Sequence, residues 1–159
     1  MALGDTLVEV SGVAKHFGEG ETRVDALRAV DLTVRAGEVI ALLGPSGSGK
    51  TTLLNIIGCI LAPSAGRVAL DGEPVFDGKW LRRDLRRLRL DKIGFIFQAH
   101  NLLPFLTARE NVSVVLDLAG LPAEEGRARA RELLEYLEVG HRAAVKPALL
   151  SGGEAQRVA

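Results

Sequence analysis

The chain has 159 residues, of which 20 are basic and 20 acidic, with 47% hydrophobic and 4% aromatic residues. This balance excludes a largely disordered chain and argues against a general nucleic-acid binder, which usually carries a basic excess. The single cysteine, Cys59, excludes an intrachain disulfide. The most apolar stretch, residues 53–62, is shorter than the roughly 20 residues that a spanning helix needs. Length and composition therefore predict one cytosolic globular domain without its own membrane segment.

Four apolar segments in the first half of the chain have the length and pattern of β-strands. They are residues 6–13, 25–36, 39–43 and 66–70. A polar, glycine-containing segment joins the first two and predicts a hairpin connection. The third is a short continuous apolar run, which is typical of a buried parallel strand. An apolar helix through Ile60 is expected after the third segment, and a tight turn at Asp71 and Gly72 after the fourth.

Residues 79–92 contain leucines at helical spacing among seven basic and two acidic residues. This pattern indicates either a solvated helix face or a surface that contacts an acidic partner or phosphate. Residues 93–97 (IGFIF) predict another buried strand. There is no internal repeat, and the pattern changes from a mixed sheet region to a helical region beyond Gln98.

The helical region carries clear start and stop signals. Thr107 is a candidate N-cap, and Glu110 stands three residues later, as in a capping box. The helix is expected to end at Gly120. A second helix is expected from about residue 122 to 137, with Gly140 closing it.

Residues 44–51 (GPSGSGKT) match the phosphate-loop pattern at every required position, between a predicted strand and a predicted helix. Glycines allow the backbone N–H groups to point at phosphate oxygens, and the helix start adds its positive dipole end. Lys50 is expected on the β- and γ-phosphates, Thr51 on Mg²⁺ and Thr52 on the α-phosphate. The predicted nucleotide contacts of this loop are Gly44, Pro45, Ser46, Gly47, Ser48, Gly49, Lys50, Thr51 and Thr52.

A second glycine-rich segment, residues 150–154 (LSGGE), follows about a hundred residues later. By itself it is only a helix N-cap followed by an acid. Together with the phosphate loop and the intervening Gln98, it resembles the LSGGQ signature of the ATP-binding cassette (ABC) ATPases. The resemblance covers essentially the whole chain. It implies an α/β P-loop NTPase core with an N-terminal antiparallel β region and a helical subdomain, incomplete at the C-terminus.

The resemblance assigns roles to further residues. Gln98 corresponds to the glutamine that contacts Mg²⁺ and the attacking water and links the site to the membrane subunit, so Lys50 and Gln98 are the expected catalytic residues. Phe17 stands where the family has an aromatic residue that stacks on adenine. The plain alternatives are an ordinary polar residue at a strand end for Gln98 and a core or hairpin aromatic for Phe17. Ser151, Gly152 and Gly153 are expected to contact the ATP held by a second copy.

The resemblance implies two parts. Residues 1–98 would form the β subdomain and the phosphate-loop core. Residues 99–159 would contain the loop that follows the family's glutamine (the Q-loop), the helical subdomain and the signature. The segments FIFQAHNLLPFLTARENV and LSGGEAQRVA are most similar to the ATPases of lipoprotein-releasing, macrolide-exporting and glycolipid-exporting systems. ATP and Mg²⁺ are the implied cofactors. A separate membrane permease and a second, head-to-tail copy are the implied partners, with no nucleic acid. The implied location is the inner face of the plasma membrane, reached only through the permease.

Two other functions remain open alternatives at this point: a soluble ABC ATPase acting on nucleic acid or ribosomes, and a non-catalytic nucleotide-binding module. The family's second acidic motif, which follows the signature helix, is absent because the sequence stops at Ala159. We therefore expect a fragment of a longer protein, and weak or no hydrolysis by residues 1–159 alone. His16, His100 and His141 are expected at the surface or in loops. Glu154 is expected to stabilise the first turn of the signature helix, where the helix dipole favours an acid, and not to act as a catalytic base.

Overall fold

A computed structural model of the chain describes residues 5–159. The contacts divide the chain after Gly94 into two compact units, a β-rich unit and a helical unit. The strands are β1 (Thr6–Phe17), β2 (Val24–Arg35), β3 (Ala65–Leu70) and β4 (Glu73–Asp77), and the helices are α1 (Lys50–Ile57), α2 (Leu85–Lys92), α3 (Ala108–Leu118), α4 (Ala123–Tyr136) and α5 (Gly152–Val158). Short 3₁₀ turns occur at Gly20–Thr22, Gly140–Arg142 and Pro147–Leu149.

The β-rich unit is built on one antiparallel sheet with the strand order β2-β1-β3-β4. The predicted strands at residues 6–13, 25–36 and 66–70 are confirmed, and β1 extends further than expected, to Phe17. The strand β4 was not predicted, because its sequence EPVFD is short and contains a proline. It pairs with β3 through the turn at Asp71 and Gly72, whose positive φ values of 50° and 75° suit a tight hairpin.

The helix α1 packs its apolar face on this sheet. Leu53 and Ile56 are buried against side chains from β1, β2 and β3. Burial of each such side chain contributes about 2 kcal/mol to folding. The helix ends earlier than expected, at Ile57, because Gly58 follows and Cys59 adopts a positive φ of 53°. This packing fixes where α1 begins, which is the end of the phosphate loop.

The predictions of buried strands at residues 39–43 and 93–97 are wrong. Both segments lack regular secondary structure, and the side chains of Val39 and Leu43 are 99% and 91% exposed. A parallel strand gains its hydrogen bonds and its burial from neighbouring strands. Neither segment has a paired strand within residues 5–159, so an apolar run alone does not produce a strand here.

The predicted helix over residues 79–92 is only partly confirmed. The helix α2 begins at Leu85, where the Asp84 side chain accepts a hydrogen bond from the Arg87 N–H at 2.9 Å. Trp80 instead forms a β-bridge with Phe76, with the two ring centroids 5.2 Å apart. Residues 79–84 therefore remain outside the helix.

The helical unit follows its sequence signals closely. Thr107 and Glu110 form both bonds of the predicted capping box at the start of α3, and Gly120 follows α3 with a φ of 90°. The unit has its own apolar cluster, made by Ala108, Leu134, Val139 and Val158. Among residues 5–159, every helix is too short or too polar to cross a lipid bilayer.

Candidate nucleotide-binding segments

The phosphate loop joins the extended segment after β2 to the start of α1. Its turns depend on three glycines with positive φ: Gly44 at 150°, Gly47 at 80° and Gly49 at 88°. L-residues with a Cβ rarely adopt such backbone angles. The Ser48 N–H donates to the Pro45 carbonyl at 3.3 Å. The glycines therefore let the backbone close a compact loop directly before the helix.

Gly49 is required for a second reason. It is the N-cap of α1, and a Cβ built on it would lie 2.5 Å from the carbonyl oxygen of Ala26 and 2.8 Å from a methyl carbon of Leu27. Both neighbours belong to β2. At Gly47 a Cβ would meet nothing within 4 Å. The loop is therefore pressed against the sheet at Gly49 and open at Gly47.

The Lys50 ammonium lies inside the loop. Its Nζ donates to the carbonyl oxygens of Gly44 and Pro45, at 2.8 and 2.7 Å, and to Ser48 Oγ at 3.1 Å. An ammonium has three donors, so the loop itself satisfies all of them. A phosphate group that enters the loop can take over these donors, because a charged acceptor makes the stronger hydrogen bond.

The start of α1 supplies further groups for an anion. The first N–H groups of an α-helix have no intrahelical acceptor, and Gly49 offers no side chain to cap them. Thr51 is exposed, and its hydroxyl has no hydrogen-bond partner in the part of the chain that the structure describes. A hydroxyl oxygen is a suitable Mg²⁺ ligand when substrate phosphates and waters supply the others. Thr51 thus fits a magnesium–nucleotide complex.

Phe17 stands at the end of β1, next to the hairpin turn, and is 45% exposed. The Lys15 ammonium lies 5.1 Å from the centroid of its ring, within the range of a cation–π contact. The neighbouring Gly18 has a φ of 72°, and a Cβ on it would lie 2.5 Å from the Thr22 carbonyl oxygen. Phe17 is therefore a partly exposed aromatic ring on a constrained hairpin, not a core residue.

Gln98 is exposed and lies in the irregular segment before α3. Its side chain has no hydrogen-bond partner among residues 5–159, which leaves its amide able to donate and accept. The segment that follows it is anchored by Asn111, which is only 7% exposed. Asn111 Oδ1 accepts from the Leu103 N–H at 2.7 Å, and Nδ2 donates to the carbonyl oxygens of Leu103, Leu106 and Thr107 at 3.2, 3.3 and 3.0 Å.

Asn111 was not predicted from the sequence as a residue of this segment. An asparagine directly after the capping-box glutamate, inside an apolar helix, was the available signal, because a polar side chain buried there needs partners.

Ser151 is the N-cap of α5, the signature helix, and forms a second capping box with Glu154. The Glu154 N–H donates to Ser151 Oγ at 3.3 Å, and the Ser151 N–H donates to Glu154 Oε2 at 2.7 Å. Gly152 and Gly153 form the first turn, and a Cβ on Gly152 would meet nothing within 4 Å. The signature glycines are thus exposed on the first turn of a capped helix.

Arg142 is a further residue of this segment that the sequence analysis missed. It donates to both carboxylate oxygens of Glu154, from Nε at 2.8 Å and from Nη2 at 3.3 Å. These bonds, together with the Ser151 N–H, lower the pKa of Glu154 from 4.5 to about 2. A carboxylate with so low a pKa is a poor general base at neutral pH, which agrees with a structural role for Glu154.

The basic segment before Gln98 is paired largely within its own unit. Arg87 contacts Asp91 at 2.9 Å, Arg82 contacts Glu73, and Lys92 contacts Asp71. Arg89 donates to the carbonyl oxygen of Cys59 at 2.9 Å. Of the two interpretations of this segment, the pairing favours a solvated helix face over a phosphate-binding surface.

The predicted site residues fall into the two units. Phe17 and the loop residues Gly44, Pro45, Ser46, Gly47, Ser48, Gly49, Lys50, Thr51 and Thr52 belong to the β-rich unit; Gln98, Ser151, Gly152 and Gly153 belong to the helical unit. None of the three histidines joins a metal cluster, since no group of three or more His, Cys, Asp or Glu side chains within residues 5–159 is arranged to hold a metal ion.

A groove of about 420 Å³ lies within the helical unit. Its lining is mainly apolar and includes Phe97, Leu103, Val115 and Leu137. An exposed apolar surface of this kind is typical of a contact with another protein segment.

The chain is similar to many known proteins. It is 49% identical over 154 residues to the lipoprotein-releasing system ATP-binding protein LolD of Geobacter metallireducens, covering 97% of this chain and 68% of that protein. It is 48% identical over 152 residues to the macrolide export ATP-binding/permease protein MacB of Marinobacter nauticus, covering 96% of this chain and 23% of that protein. The chain also covers 64% of the length of a third relative, an ABC transporter ATP-binding protein of Thermotoga maritima.

Among solved structures, the ATP-binding cassette MJ0796, described as a dimer in a post-hydrolysis state bound to ADP and Pi, matches with a TM-score of 0.86 and 42% identity, covering 96% of this chain and 66% of that one. The chain therefore spans from about a quarter to two thirds of these relatives. The ABC transporter family matches residues 27–159. The chain belongs to the ABC transporter family and has the fold of its ATPase domain.

Proposed function

We propose that this chain forms the nucleotide-binding part of an ABC transporter subunit that couples ATP binding and hydrolysis to transport through a membrane permease. The family resemblance favours export as the direction of transport. The observation that carries the proposal is the phosphate loop: a glycine-built turn that already surrounds the Lys50 ammonium and opens onto the uncapped start of α1. These features bind phosphate groups through backbone N–H donors and one mobile charge.

The expected roles follow from this arrangement. Lys50 binds the β- and γ-phosphates, and the hydroxyl of Thr51 binds the Mg²⁺ that accompanies ATP; this ion supplies charge neutralisation on the phosphates. The exposed ring of Phe17 offers a face for adenine. The Gln98 amide has no hydrogen-bond partner in the described part of the chain, which suits contact with the ion and the attacking water.

Two partners belong to the proposal. A second, head-to-tail copy would place its Ser151, Gly152 and Gly153 against the ATP held by the first copy, and the dimeric state of the related cassette MJ0796 supports this. A permease would hold the assembly at the inner face of the membrane, with the apolar groove of the helical unit as a surface for it. Differential affinity of ATP for the closed dimer would then drive the conformational change.

The test is ATP binding and hydrolysis by the full-length subunit carrying Lys50→Ala. We expect a loss of hydrolysis of at least about 100-fold, because the only mobile cation of the loop is removed. Lys79→Ala, which removes an exposed lysine side chain of the same unit, serves as the matched control. Hydrolysis unchanged by Lys50→Ala contradicts the proposal. Salt-sensitive DNA binding without stimulation by a permease would favour a soluble nucleic-acid-associated ATPase instead.

A further inference from the structure

The acidic residue in the first turn of α5 creates an electrostatic problem for the proposed contact with ATP. Glu154 directly follows Gly152 and Gly153 in the sequence, and its carboxylate remains ionised at neutral pH. The phosphates of ATP are also negative, and like charges at such short range repel each other. A signature segment that approaches ATP therefore needs this carboxylate neutralised.

Arg142 supplies the neutralising charge. Its guanidinium donates to both oxygens of the Glu154 carboxylate, and the two side chains are 35% and 14% exposed. His141 Nε2 lies 3.6 Å from the same carboxylate, but its side chain is 65% exposed and is a cation only when protonated. Arg142 is thus the permanent cation at this position.

The turn that carries Arg142 is itself held in place. It is the 3₁₀ turn Gly140–Arg142, and the residues after it accept two hydrogen bonds from the start of α3. The N–H of Arg109 donates to the Ala143 carbonyl at 3.0 Å, and the N–H of Ala108 donates to the Val145 carbonyl at 2.8 Å. The guanidinium is therefore presented from a fixed backbone.

The carboxylate also determines what Ser151 can offer. The Ser151 N–H donates to the Glu154 carboxylate, and the Ser151 hydroxyl oxygen accepts a hydrogen bond from the Glu154 N–H. The hydroxyl hydrogen has no acceptor among residues 5–159, so it remains available to donate to an external group. Glu154 thereby orients a donor outward, provided that its own negative charge is cancelled.

We propose that Arg142 is a positioning residue for the signature segment: it neutralises Glu154, so that the carboxylate can hold Ser151 as an outward donor without repelling the phosphates of ATP. This inference rests on the proposed function. A purely structural Arg142 would stabilise the fold through the same ion pair. The two roles differ in the quantity that changes: loss of a purely structural ion pair lowers the thermal stability and leaves the KM of the folded protein unchanged, whereas loss of the positioning role raises KM.

The experiment measures the KM for ATP, kcat and thermal unfolding of the full-length subunit with Arg142→Met, Glu154→Gln and both substitutions. Glutamine preserves the capping-box shape without the charge. Arg142→Met should raise KM about tenfold, and that increase should shrink at high salt. Glu154→Gln alone should raise KM about threefold or less, and the double variant should return KM to within about threefold of wild type. Arg129→Met, which removes an exposed, paired arginine of α4, controls for the loss of one positive charge.

A double variant with a KM as high as that of Arg142→Met, or higher, would overturn the inference, because the charge of Glu154 would then not be the cause of the raised KM. An unchanged KM in Arg142→Met would also overturn the inference. If Arg142→Met does not fold, Glu154→Gln and the double variant carry the test, and a tenfold rise of KM in folded Glu154→Gln contradicts it. Lys50→Ala separates the two proposals: an inactive Lys50→Ala protein beside a normal Arg142→Met protein refutes only the role of Arg142.

Discussion

The phosphate loop and the signature segment both place glycines at the start of a helix, but they are held by different parts of the chain. The loop before α1 has no side-chain cap and depends on three glycines with positive φ and on the close approach of Gly49 to β2. The signature segment before α5 is held by side chains, through the capping box of Ser151 and Glu154 and the ion pair to Arg142. Backbone geometry holds the phosphate loop, and side-chain contacts hold the signature segment.

This difference predicts different sensitivities. A segment held by backbone geometry should be destabilised by substitution of its glycines, but its stability should not depend on pH near neutrality. A site built from a carboxylate and its partners responds to charge removal and to acid.

The largest expected effect is at Gly49. In Gly49→Ala, the methyl group would meet the Ala26 carbonyl oxygen at 2.5 Å in a backbone with a φ of 88°. Strain and overpacking together should lower the free energy of unfolding by about 2–4 kcal/mol. Gly47→Ala has a similar φ of 80° but open space, so it should cost only about 1 kcal/mol. Equal losses in denaturant titrations of the two variants would refute the close approach of the loop to the sheet.

A smaller loss of unfolding free energy is expected at Asn111, whose side chain holds a segment of the helical unit in place. Asn111→Leu keeps the volume but removes the partner of the Leu103 N–H and of the Leu106 carbonyl oxygen. The carbonyl oxygens of Leu103 and Thr107 keep their backbone donors, the N–H groups of residues 106 and 111. Buried groups left unsatisfied cost about 1–3 kcal/mol. Hydrogen exchange should show faster exchange of the Leu103 N–H in the variant, with α1 unchanged. Unchanged protection at Leu103 would mean that Asn111 does not anchor the segment after Gln98.

The smallest effect is the pH dependence that comes from Glu154. Its pKa falls from 4.5 to about 2 in the folded protein. A depressed carboxyl pKa stabilises the folded state above pH 4.5, and this stabilisation is lost as the pH falls toward 2. Wild type and Glu154→Gln should therefore differ in unfolding free energy at pH 6 and converge near pH 2. Glu132→Gln, an exposed carboxylate of α4, is the control. A constant difference across this pH range would contradict the role of the Arg142 ion pair.

Local signals predicted local structure well. The capping box of Thr107 and Glu110, the stop at Gly120 and the turn at Asp71 and Gly72 all depend on residues a few positions apart. The strands predicted at residues 39–43 and 93–97 were wrong because parallel pairing depends on distant partners.

The same limit applies to the candidate site. The phosphate-loop pattern predicted which residues form the loop, but not that the Lys50 ammonium bonds the loop's own carbonyl oxygens. Arg142 was missed because it stands twelve residues before Glu154, and no helical or strand period brings them together. Pairwise contacts across a turn are visible only in the folded chain.

The central claim is that ATP joins the phosphate loop of one copy to the signature segment of another. The most direct measurement mixes full-length Lys50→Ala and Ser151→Arg subunits and follows ATP-driven dimer formation by analytical ultracentrifugation. Each variant alone lacks one half of both sites, whereas the mixed dimer has one site with both halves intact. We expect ATP-dependent dimers in the mixture and none in either variant alone. A mixture that stays monomeric at saturating ATP, while the wild type dimerises, would contradict it.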